Sequence, residues 1–189
     1  MENNTTIFYR REGIMLYTNE EKTAMMKTAR SSGAVGANAI LPRIFKSLCR
    51  RHKHWHALDY GSGPNAIHTE ALRREGYQVL AYDINDINIV SNINNKQRSL
   101  YEWFDVVFAS NVINVQPSAH HVHGVICELS NFVKCGGTVL INYPSSPRKC
   151  DLTVSDIDSI LRREFVKVDR IRYHSGVKIS TPVWQCEKG

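Results

Sequence analysis

The sequence predicts a three-layer α/β fold, with a mainly parallel sheet covered by helices on both faces and an antiparallel terminal strand. Three observations predict it. Short apolar runs alternate with amphipathic helical stretches from about residue 37 onward, the pattern of strand–helix–strand units. A glycine-rich turn, Gly61-Ser62-Gly63, follows the first of those runs and opens a helix. The chain closes on two strand-like runs in succession, which favours a final antiparallel pair.

Taken in order, Ile40, Leu41, Ile44, Phe45 and Leu48 recur at three- and four-residue spacing and predict a helix over 37–48. Trp55 to Leu58 predicts the first strand, and the turn then leads into a helix over 66–75 that Gly76 ends as a C-terminal cap. Gln78 to Tyr82 and Phe104 to Ala109 predict two further strands. The stretch between Asp83 and Phe104 is polar and poorly patterned, with room for a helix and a strand but no signal that places both. Ser118 caps a helix over 119–134 whose Val122, Val125, Ile126, Leu129, Phe132 and Val133 form one stripe. Gly136-Gly137 ends it, and Thr138 to Tyr143 is the next buried strand. Thr153 and Asp156 have capping-box spacing ahead of Val154, Ile157, Ile160 and Leu161. Phe165 to Tyr173 and Pro182 to Cys186 form the closing pair. Residues 1–33 read as an N-terminal segment serving as a lid or substrate contact, and 34–189 as a single domain.

A length of 189 residues with 42% hydrophobic and 22% charged residues suits a soluble globule with a real core. No apolar run reaches the roughly 18 residues of a membrane span, and Met1 to Thr6 has no basic start, so a cytoplasmic protein is expected. The five cysteines are widely spaced without a C-x-x-C pair, which predicts reduced thiols. The formal charge of +6 speaks to association rather than to chemistry. Its densest run, Arg50-Arg51-His52-Lys53-His54, precedes the first strand and so belongs at the sheet edge away from the ligand. Arg10, Arg11, Lys22, Lys27, Arg30, Arg148 and Lys149 are better placed, either to steer a phosphate-bearing or acidic acceptor or simply to keep the surface soluble, and solubility is the favoured reading.

In such sheets ligands bind beyond the carboxyl ends of the strands, where the chain order reverses. Gly61 and Gly63 allow close backbone approach there. Asp83, twenty residues beyond Gly63 at the end of the second strand, is placed to accept hydrogen bonds from both hydroxyls of a ribose. Gly61-x-Gly63-x-x-Ala66 also satisfies the dinucleotide fingerprint, so NAD is an alternative. Against it stand the short chain, the closing strand pair, and Asp59, whose carboxylate at the mouth of the turn repels a pyrophosphate and attracts the ammonium and sulfonium of S-adenosylmethionine.

Ala57-Leu58-Asp59-Tyr60-Gly61-Ser62-Gly63, Ala81-Tyr82-Asp83-Ile84-Asn85, Phe104-Asp105-Val106-Val107 and Phe132 to Leu140 resemble the ordered motifs of class I S-adenosylmethionine-dependent methyltransferases, over roughly residues 55 to 143. The resemblance implies a Rossmann-like methyltransferase fold. It implies that Asp59, Gly61, Ser62 and Gly63 hold the methionine end of the cofactor and Asp83 the ribose. Ile84 then offers an apolar surface under the adenine, and Ser110 and Asn111 lie beside the cofactor. Lys27 to Gly33 and Ala109 to Val115 are similar to a small bacterial and phage methyltransferase group with K-T-A and N-x-x-N-V segments. Pro64-Asn65 departs from the family at the third glycine of the turn.

Methyl transfer from a sulfonium is an in-line displacement, so placement of the acceptor carries much of the catalysis. Asn111, Tyr143 and His120, with Ser110, Asn114, Asn142 and Pro144 nearby, are the candidates at the ligand edge. The residues do not identify the acceptor: a small molecule or a nucleic acid is expected, the nucleic acid being the less supported by motif. Asn142-Tyr143-Pro144-Ser145 is similar to the N-P-P-Y loop of DNA amino-methyltransferases, but follows the wrong strand in the wrong order. His120, His121 and His123 read as solvated helix residues, with no carboxylate or cysteine at ligand spacing, and no metal is expected. His120 or His121 can overhang the acceptor as a proton carrier. The alternative to an enzyme is a non-catalytic binder of the same cofactor, a partner subunit or regulator.

Overall fold

The computed structural model describes residues 6–10, 13–31, 39–83, 101–146 and 148–189. Strands β3 (His56–Tyr60), β4 (Gln78–Tyr82), β5 (Phe104–Ala109), β6 (Val133–Asn142), β7 (Lys167–His174) and β8 (Val177–Glu187) form one sheet in the order β4-β3-β5-β6-β8-β7. β3 pairs in parallel with β4 and β5, and β5 with β6, while β8 runs antiparallel between β6 and β7. The reversal follows from the Ser175-Gly176 turn, where both residues have positive φ (51° and 78°), the geometry of a tight two-residue hairpin. The helix and strand sought between Asp83 and Phe104 fall on residues 84–100, outside the described residues, as does the expected domain boundary at 33 and 34.

Each sheet face carries its own core, as three layers require. On one face α2 (Ile40–Leu48) and α3 (Ile67–Arg74) lay Leu41, Ile44, Phe45 and Leu72 over Ala57, Val79, Val106, Phe108 and Leu140. On the other, α4 (Ala119–Phe132) and α5 (Val154–Glu164) cover Val107, Val139, Ile141 and Trp184 with Val122, Ile126, Leu129, Ile157 and Leu161. Alternating side chains of the buried strands feed the two faces in turn, which is why Phe104 to Ala109 reads as a nearly continuous apolar run. Gly76, at φ 88°, caps α3 as expected, and the Thr153–Asp156 capping box is formed in both directions. Ser118 caps α4, its hydroxyl accepting from His121 N–H at 3.4 Å.

Beyond shifts of a few residues at other element ends, three features differ from the sequence reading. The N-terminal segment holds a hairpin, β1 (Thr6–Arg10) with β2 (Gly13–Tyr17), and a helix, α1 (Asn19–Ser31). Its signal was present: Thr18 and Glu21 make a reciprocal capping box, at 3.1 and 2.9 Å. β8 starts five residues before Pro182, because Val177 and its neighbours extend the hairpin into solvent, where apolar patterning is weak. The glycine pair does not end α4, which stops at Phe132. β6 begins at Val133 and carries the pair inside it, with the register to β5 shifting between Phe104 and Val106. A Cβ on Gly137 would lie 2.9 Å from the Lys134 carbonyl oxygen and 3.0 Å from that of Asp105. Gly137→Ala is therefore expected to lower stability by about 2 kcal/mol, as read from urea unfolding.

Candidate functional site

Because β3, β4, β5 and β6 are parallel, Gly61, Asp83, Ser110 and Tyr143 all emerge at one edge of the sheet. β3 lies between β4 and β5, so the chain reverses direction there, the position at which open α/β sheets bind ligands. A cavity of about 70 Å³ sits at this point, lined by Tyr60, Gly61, Tyr82, Asp83, Asn111, Val112 and Gln116, with Tyr17 and Met25 closing it from the N-terminal segment.

The glycine turn is bolted to the end of β4. Gly61 and Ser62 N–H both donate to the Tyr82 carbonyl, at 2.7 and 3.0 Å, and Gly63 N–H donates to Asp83 Oδ2 at 2.8 Å. All three turn donors thus have partners within the chain. Gly61 holds φ 75°, and a Cβ there would meet Val112 Cγ2 at 2.5 Å, so backbone and side chain close the cavity floor flush. Asp83 is 7% exposed and lines the cavity. The half-buried Ser62 hydroxyl lies 3.3 Å from the Gly63 carbonyl oxygen.

Asp59 is corrected by the structure. It is 1% exposed and sits beneath the turn rather than at its mouth. Its Oδ2 accepts from the Thr69 hydroxyl at 2.8 Å, and the Thr69 backbone N–H also bonds to the carboxyl group, which therefore occupies the N-terminus of α3. Oδ1 is buried with no hydrogen-bond partner. Burial, helped by the charge of Asp83, pushes its pKa up to about 7 against the opposing Thr69 bonds. The case against a dinucleotide therefore rests on different ground. The anion site of α3 is filled from below, and the turn N–H groups that would cradle a pyrophosphate are already used.

The catalytic candidates separate. Asn111, in left-handed backbone at φ 58°, lines the cavity and interlocks with Asn142: its N–H donates to Asn142 Oδ1 and its Oδ1 accepts from Asn142 Nδ2, both at 2.7 Å. Ser110 is half-buried next to it, and its Oγ is buried without a hydrogen-bond partner. Tyr143 does not reach the cavity. It is fully buried, its hydroxyl donates to the Leu152 carbonyl at 2.9 Å, and Arg148 stacks on its ring at 4.1 Å. Arg148 itself donates to the Pro144 carbonyl at 2.9 Å, so it braces this loop rather than steering an acceptor. His120 is exposed at the start of α4. Its neighbour His121 is buried against the cavity-lining Tyr17, their rings 4.7 Å apart, with its Nδ1 2.8 Å from Ser118 Oγ and its Nε2 3.9 Å from Glu21. Ile84, expected beneath the adenine, lies outside the described residues.

Tyr17, Met25 and Gln116 were not singled out in the sequence. Tyr17 donates to Gln116 Oε1 at 2.8 Å across 99 residues, a contact no local pattern announces. His123 also departs from expectation. It faces Cys127, one helical turn on, and Glu164 of α5, both at ligand spacing.

Comparisons with models of protein families and with curated protein sequences find no match. Solved structures do match. The Burkholderia thailandensis 1,6-didemethyltoxoflavin-N1-methyltransferase, with bound 1,6-didemethyltoxoflavin and S-adenosylhomocysteine, aligns over 100% of this chain and 97% of its own at 14% identity and TM-score 0.57. A TehB-like S-adenosylmethionine-dependent methyltransferase of Corynebacterium glutamicum aligns over 90% and 98%, at 14% identity and TM-score 0.55. A third, from Archaeoglobus fulgidus, aligns over 78% and 94%, at 12% identity and TM-score 0.52. The chain thus has the Rossmann-like fold of S-adenosylmethionine-dependent methyltransferases.

Proposed function

We propose that the chain binds S-adenosylmethionine at the Gly61–Asp83 edge and transfers its methyl group to an acceptor admitted beside Tyr17 and His121. The observation that carries this reading is the arrangement of Asp83: a carboxylate held by Gly63 N–H at the lip of a cavity whose floor is the Gly61–Val112 contact. That lip suits a ribose, which needs an acceptor for its hydroxyls. It does not suit a pyrophosphate, which needs the donors the turn has spent on Tyr82 and Asp83. The open side of Gly63, where an added Cβ would meet nothing within 4 Å, leaves room for the ligand to pass over the turn.

Bound there, S-adenosylmethionine supplies an electrophilic methyl on a sulfonium. The chain's own residues orient and enclose. Asn111, locked by Asn142, presents a fixed polar edge to the cavity. Tyr17 and Met25 exclude water from above. His121, backed by Ser118 and Glu21, is the side chain placed to take a proton when the acceptor carries one. Tyr143, bonded to Leu152, is not available to orient a nucleobase, which removes the similarity to the DNA amino-methyltransferase loop as support for that acceptor.

S-adenosylhomocysteine at millimolar concentration is expected to raise the melting temperature by mass action while NAD leaves it unchanged. A shift with NAD alone, or with neither, overturns the reading. Label transfer from S-adenosylmethionine into nucleic-acid, protein or metabolite pools then distinguishes an enzyme from a binder. Tyr17→Phe removes the closing hydrogen bond, worth about 1 kcal/mol, so dissociation of S-adenosylhomocysteine should be about five-fold faster in stopped flow.

A further inference from the structure

His123, Cys127 and Glu164 bring three chemically different metal-binding groups together in the groove between α4 and α5, apart from the cavity. His123 and Cys127 stand one turn apart on α4, with Nδ1 and Sγ 3.7 Å from each other. Glu164, at the last position of α5, closes the third side. Its Oε1 accepts the Cys127 thiol proton at 2.9 Å and lies 3.6 Å from His123 Nε2. One ligand atom from each residue fits within 4.8 Å of the others, and all three side chains are half-buried, close enough to solvent for an ion to enter.

We propose that this triad is a zinc-type divalent cation site that clips α4 to α5. A tetrahedral zinc ion sets sulfur and nitrogen ligands about 3.6 Å apart and sulfur and oxygen about 3.5 Å apart. The His123 Nδ1–Cys127 Sγ separation already meets the first figure, which makes Nδ1 the ligand nitrogen and the Nε2–Glu164 contact one that the cation replaces. The Cys127–Glu164 separation is shorter because a proton now sits between them. A cation replaces that proton, the thiol proton passes to solvent, and the pair widens by about half an ångström. An imidazole, a thiolate and one carboxylate leave a fourth position for water, and the soft sulfur with the borderline nitrogen selects zinc or cobalt over magnesium or calcium. Glu164 has room to move, since it ends its helix and Phe165 then leaves for β7.

The test uses the whole chain in a thiol-free reductant, with Cys135→Ser as background because Cys135 is exposed. Cobalt(II) is expected to give a thiolate charge-transfer band and the visible bands of tetrahedral coordination, both bleached by one equivalent of zinc. Zinc should also raise the melting temperature. Cys127→Ser and His123→Ala should each weaken zinc binding by more than the roughly 10- to 100-fold that loss of an outer-shell partner costs, and Glu164→Gln should weaken it measurably. Magnesium should do nothing. Absence of the cobalt bands in the background protein overturns the proposal without reference to any variant's folding. So does zinc binding that survives unchanged in Cys127→Ser.

Discussion

Asp83→Asn is expected to weaken S-adenosylhomocysteine binding by about 100-fold in isothermal titration. A carboxylate accepting from both ribose hydroxyls makes two charge-assisted bonds, each worth about 1.5–3 kcal/mol, and the amide keeps a single, neutral acceptor. That acceptor can still hold Gly63 N–H, which Asp83 now binds at 2.8 Å, so the glycine turn should keep its shape. Affinity is therefore predicted to fall while the far-ultraviolet spectrum stays the same. An unchanged dissociation constant removes Asp83 from the ribose and the adenosine reading with it.

Asp59→Asn is expected to become more stable relative to the parent as pH rises, by up to about 4 kcal/mol between pH 4 and pH 8. The folded carboxyl titrates at about 7, against 3.8 for an ordinary aspartate. Between those values the folded chain keeps a proton that the unfolded chain has released. The parent therefore loses stability as pH climbs through that window and levels off above it. The amide cannot ionise and lacks that loss, while its carbonyl still accepts from Thr69. Below pH 4 both forms are neutral, and the difference reduces to the amide's unmatched N–H, which costs about 1–3 kcal/mol. Urea unfolding at several pH values reads the gap directly; a gap independent of pH means Asp59 is ionised in the fold. The two predictions are linked. Asp83 contributes to the raised pKa of Asp59, so Asp83→Asn should narrow the same pH window.

Much of the architecture was legible because it is written locally. The strands Gln78–Tyr82 and Phe104–Ala109 were read to the residue, since buried parallel strands are continuous apolar runs bounded by polar turns. The Thr153–Asp156 and Ser118 caps are short-range chemistry visible in spacing alone. Glycine was less legible. Gly136-Gly137 read as a helix stop but lies inside β6, because the same residue type serves a chain end and a crowded strand. Of the residues the sequence singles out, Gly61, Asp83 and Asn111 line one cavity, and Gly63 lies in the turn bonded to Asp83. Tyr17 and Gln116, which also line the cavity, are not singled out by the sequence, since their 2.8 Å hydrogen bond joins elements 99 residues apart.

By itself the sequence determined the layer order, the parallel sheet and the turn at its switch point, because periodicity and glycine placement are properties of neighbouring residues. Only the tertiary structure decided the direction of each carboxylate. Asp59 and Asp83 both flank the same turn, yet one is drawn under the N-terminus of α3 by Thr69 and the other is held at the cavity lip by Gly63. The side a carboxylate faces is set by which donor the packed helix and turn offer it, and that donor comes from elsewhere in the chain.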